Sequence, residues 1–84
     1  FRLVDEGGDP RRIRITVVND QGMVLPASGQ VLLSTTAGAL SNSRPNLDQG
    51  QALVTLFGAD AGALAKIKLG FKWFSGVEEL EVRV

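Results

Sequence analysis

Enzymatic chemistry needs side chains that titrate, attack or ligate, and this 84-residue chain has no His, Cys or Tyr. Without them there is no imidazole relay, no thiol nucleophile and no usual zinc ligand set. Serines, carboxylates, lysines and a pair of aromatics remain. Ser34 and Ser41 lie at either end of the run Ser-Thr-Thr-Ala-Gly-Ala-Leu-Ser, outside any nucleophile-elbow context, and read as turn formers. Asp5, Glu6 and Asp9 share a Gly-containing stretch and could offer oxygens to calcium. Calcium takes about six to eight oxygens, and three side chains at this spacing match no standard loop. No catalytic, cofactor-binding or metal-ligating residue is assigned, and the chain is read as a non-enzyme.

Binding is the remaining chemistry. Lys66, Lys68 and Lys72 line one face of an alternating segment and could meet an acidic partner or a glycan. With nine basic and nine acidic residues in balance, a solvated sheet face explains them as well. Trp73 and Phe74 could form a sugar-stacking platform or an interface anchor, or serve as ordinary cross-strand packing. Leu53 and Phe57 fall on the face opposite Ala52, Val54 and Leu56. They would be covered either by a partner or by a loop of the same chain.

The elements that must position these residues are short strands. Arg12 to Val18 alternates, with Ile13, Ile15 and Val17 on one face. Phe1 to Val4, Gln30 to Leu33, Gln51 to Phe57, Ala65 to Phe74 and Val77 to Val84 are further strands, with a short extended segment at Met23 to Pro26. Asp5 to Pro10, Asn19 to Gly22, Ser34 to Gly38 and Ser43 to Gly50 read as turns and loops. Residues 59 to 66 are Ala-rich, but Gly62 weakens a helix there. Turn signals every eight to twelve residues, without an amphipathic helix, predict an all-β sandwich of two antiparallel sheets and about seven strands. In the last hairpin a turn at Ser75-Gly76 would set Phe71 against Leu80, Leu69 against Val82 and Ile67 against Val84. Lys72 would meet Glu79, and Lys68 would meet Arg83.

These elements resemble, in order, the bacterial immunoglobulin-like domains of the intimin and invasin type. Ile15 to Val18, the Asp20-Gln21-Gly22 turn and the later Pro26 look like one family segment. Val31 to Ser41 looks like the signature strand and its Ser-Thr-Thr-Ala-Gly-x-Leu-Ser corner. Asp48 to Leu56 looks like the Asp-x-x-Gly-Gln-Ala-x-Val-x-Leu segment, one residue shorter. Ala61-Gly62 with Ala65 to Leu69 is similar to the following strand. The resemblance covers residues 13 to 84. Pro26 to Ser34 is one residue longer than the pattern, which suggests a bulge. Leu53 and Phe57 stand where outward threonines are usual.

The resemblance implies a non-catalytic spacer in a surface-exposed or otherwise exported adhesin-like protein, with neighbouring domains of the same chain as its partners. The alternative is a protein- or glycan-binding accessory module, of the kind an enzyme could carry. Size and charge agree with one domain over residues 1–84, and opening on Phe1 suggests a piece of a larger protein. Zero net charge argues against nucleic acid, and no apolar run is long enough for membrane insertion.

Overall fold

The computed structural model describes residues 1–71 and 74–84, and of residues 74–77 the backbone alone. Eight strands run through the described residues, and no helix occurs among them: β1 (Arg2–Gly7), β2 (Arg11–Thr16), β3 (Gly29–Thr35), β4 (Ala39–Leu40), β5 (Asn46–Leu47), β6 (Gln51–Phe57), β7 (Leu64–Phe71) and β8 (Phe74–Arg83). They form two antiparallel four-stranded sheets, ordered β1-β2-β6-β4 and β5-β3-β7-β8. The chain is an immunoglobulin-like β-sandwich. No helix long and apolar enough to cross a membrane occurs among the described residues.

Alternation explains the core. The first sheet turns Leu3, Ile13, Ile15, Val54 and Leu56 inward. The second answers with Val31, Leu33, Leu47, Ala65, Ile67, Leu69 and Val82. Ile13, Ile15, Ile67 and Leu69 are wholly buried, each worth roughly 1.5–3 kcal/mol of burial. With no disulfide, these side chains carry the stability of the domain.

One long edge of the sandwich is closed by the backbone itself. The chain leaves β3, turns at residues 36–38 and pairs with β6 of the first sheet as β4. It then crosses to the second sheet. The Val31 and Leu33 amides donate to the Pro45 and Ser43 carbonyls, and β5 pairs with the start of β3. A two-residue turn, Asp48–Gln51, returns it to the first sheet as β6. The corner is held by its own hydroxyls. Thr35 Oγ1 donates to the Ala37 carbonyl at 2.8 Å, and Thr36 Oγ1 accepts from the Lys66 amide at 2.9 Å. Ser41 Oγ accepts from the Thr55 amide at 2.9 Å. Gly38 sits at φ 71°, and a Cβ there would come within 2.6 Å of the Phe57 carbonyl oxygen.

The opposite edge is closed by side chains. β1 and β8 are the outer strands, and neither pairs with the other in a ladder. At one pole the Phe1 and Phe71 rings lie 5.2 Å apart at 46°. At the other, Arg11 pairs with Asp5 at 2.8 Å and donates to the Arg83 carbonyl at 3.2 Å, joining the two sheets.

Three expectations are corrected. Asp5 to Gly7 belong to β1 rather than a loop, because the carboxylates of Asp5 and Glu6 find arginine partners and a register shift between Asp5 and Gly7 absorbs the glycine. The bulge expected between Pro26 and Ser34 does not occur within β3, where Gly29 and Gln30 pair with β5 and Val31 to Thr35 pair with β7 in unbroken register. The last hairpin is displaced: Ile67 faces Leu80, Ala65 faces Val82, Lys68 faces Glu79, and Phe71 pairs with Phe74. Ser75-Gly76 therefore lies inside β8, where three residues oppose Gly70 alone between the pairs Leu69–Glu78 and Phe71–Phe74. A Ser-Gly pair suits an irregular stretch of strand as well as a tight turn. The displacement is an even number of residues, so Leu80 and Val82 keep the expected face.

Candidate functional site

The three carboxylates near the start of the chain do not converge. Asp5 caps the Gly7 amide at 2.8 Å and pairs with Arg11, while Glu6 points to the outer face and binds Arg14 Nε at 2.9 Å. Their partners show that they face opposite ways, since Arg11 and Arg14 project from opposite faces of β2. The Arg14 guanidinium holds the Glu6 carboxyl below its ordinary range, chiefly through the hydrogen bond, and Glu6 raises Arg14 in turn. Among the described residues no group of three or more His, Cys, Asp or Glu side chains could hold a metal ion.

Lys66 and Lys68 are exposed on the outer face of the second sheet, but they do not form a bare cationic row. Glu81 lies opposite Lys66, with Nζ to carboxylate 3.7 Å, and Glu79 lies opposite Lys68. The expected Lys68–Arg83 apposition is replaced by one of opposite charge, which weakens any attraction for an acidic partner. Lys72 and Trp73 lie outside the described residues, as does the side chain of Phe74.

Leu53 and Phe57 both face outward, about half exposed, as their alternation predicts. They do not form one patch: four residues along a strand is about 13 Å. Phe57 pairs with Ala39 and lines a cleft of about 310 Å³ with Gly58, Ala59, Ala61 and Val84 at one pole. Leu53 faces Arg14 across the ladder and stands beside a different feature.

That feature is an open polar groove of about 610 Å³. Arg14 and Gln51 reach it from β2 and β6, and Asn42, Asn46, Asp48 and Gln49 from the crossing segment. Arg14 donates to Glu6 and, at 3.1 Å, to Gln51 Oε1, so its plane is fixed. Gln49 is the one non-glycine residue with positive φ among the described residues, at 52°. Sequence reasoning takes residues 43–50 as a plain loop and misses the groove. The one local signal is the density of Asn, Asp and Gln between residues 42 and 51.

Comparison of this chain with protein-family models, curated proteins and solved structures gave no match.

Proposed function

We propose that this domain is a non-catalytic spacer of a multidomain exported protein, the role implied by its resemblance to intimin- and invasin-type modules, and that it bears tension between its ends. One observation carries the reading: the direction in which the terminal strands would be loaded. Phe1 packs at the Phe71 end of β7, whereas Val84 bonds to Ala63 beside the Leu64 end. Tension applied through the two ends then pulls β1 and β8 lengthwise past β2 and β7. Hydrogen bonds loaded in this way resist together instead of opening one by one. The longest dimension of the domain, 35 Å, is close to the roughly 33 Å that ten strand residues span. The cleft at Phe57, lined also by Asp9 and Arg11, adjoins Val84, where a following module would cover it. The reading is tested by pulling single molecules through their ends, and it requires high resistance along that axis.

A further inference from the structure

We infer that the polar groove beside Leu53 is a binding site for a neutral oligosaccharide, held by Arg14, Asn42, Asn46, Asp48, Gln49 and Gln51. The proposal goes beyond the spacer role, and its failure would leave that role standing.

Sugar hydroxyls both donate and accept, and the carboxamides of Asn and Gln present both functions side by side. Four of the six side chains are carboxamides, joined by one guanidinium and one carboxylate. Asn46, Asp48 and Gln49 make no side-chain hydrogen bond among the described residues, so their capacity is open to a ligand, whereas Asn42 Oδ1 already accepts from the Arg44 amide at 2.9 Å. Arg14, by contrast, is already oriented by Glu6 and Gln51, which lowers the ordering cost of binding.

Charge selects among polar ligands. Glu6 offsets Arg14, and the remaining formal charge in the groove is Asp48. A phosphate, sulfate or uronate would find no net attraction there. Leu53, half exposed, supplies an apolar surface for the C–H face of a sugar ring.

Gln49 adds an independent sign. It occupies the first central position of a two-residue turn whose second is Gly50, at φ 78°. Turns with both residues at positive φ favour Asn, Asp or Gly, and a longer side chain at that place works against stability. A residue kept in a strained conformation beside an open groove points to a role for its side chain.

The test titrates xylo-, cello-, manno- and chito-oligosaccharides into the isotopically labelled full chain, reading amide shifts by NMR. At least one is expected to perturb the amides of Asn42, Asn46, Gln49 and Gln51 in a saturable manner. Gln49→Gly and Asn46→Ala should each weaken that sugar about tenfold. Gln49→Gly relieves the turn, so it should melt no lower than wild type, which separates lost binding from lost folding. Trp73→Ala should bind as wild type does. The proposal is overturned if no sugar perturbs these amides at millimolar concentration. It also fails if the shifts centre on the β7–β8 hairpin, or if both groove variants bind as wild type does.

Discussion

The two long edges of this sandwich are closed by different means. Along one, the backbone passes from sheet to sheet, and glycines, hydroxyls and main-chain hydrogen bonds hold the crossing. Along the other, two outer strands face each other and are joined by the Phe1–Phe71 rings and the Arg11 bridge. The first edge is intolerant of change because a backbone has few alternative paths. The second can lose a contact and stay folded. It is also where strands with free edges must avoid pairing with other chains, and Glu79, Glu81 and the irregular stretch of β8 serve that purpose.

The largest expected effect breaks the backbone-closed edge. Gly50 is buried at φ 78°, and a Cβ there would lie 1.9 Å from the Leu25 carbonyl oxygen. Gly50→Ala combines a disfavoured left-handed conformation with a backbone clash. It should cost about 3 kcal/mol or more and leave little folded protein in a thermal melt. A Gly50→Ala protein that melts near wild type would contradict the view that this crossing sets the fold.

A smaller effect is expected at the side-chain edge. Phe1→Ala removes one half-buried ring from its partner and should cost about 1–2 kcal/mol by denaturant titration, with the fold retained. A loss as large as that of Gly50→Ala would erase the distinction between the edges.

The smallest effect concerns pH. Glu6 ties β1 to β2 from outside, and its carboxyl lies below the ordinary value of 4.5 in the folded state. Its contribution is therefore complete above that ordinary value and is lost as pH falls through the lowered one. The pair is partly solvated, so the change is modest. Glu6→Gln should flatten the acid limb of stability against pH below the ordinary carboxyl value of 4.5, and an unchanged limb would assign the acid loss elsewhere.

The contrast also explains how much was legible in the sequence. Ala52, Val54 and Leu56 against Leu53 and Phe57, and Ala65, Ile67 and Leu69 against the lysines, declare their faces through strict alternation, which is local. The sheet-to-sheet crossing declared itself only as a corner, because its partners lie in distant strands. The last hairpin kept its faces but not its register: Ser75-Gly76 fits a turn and an irregular strand alike. The groove was least legible, since Arg14 and Asn42 are far apart in sequence and meet only through the β2–β6 ladder and the crossing segment.

The central claim, that the domain bears tension between its ends, is tested most directly by single-molecule pulling in two geometries. In one, handles are attached at the two termini, which loads β1 and β8 along their lengths. In the other, handles sit at the N-terminus and at an Asp20→Cys, unique in a chain without cysteine. Asp20 lies in the turn after β2, at the pole where Arg2 pairs with Thr16, so this geometry peels β1 from β2 one pair at a time. The account predicts a clearly higher unfolding force through the termini. Equal forces, or a lower force through the termini, would contradict it.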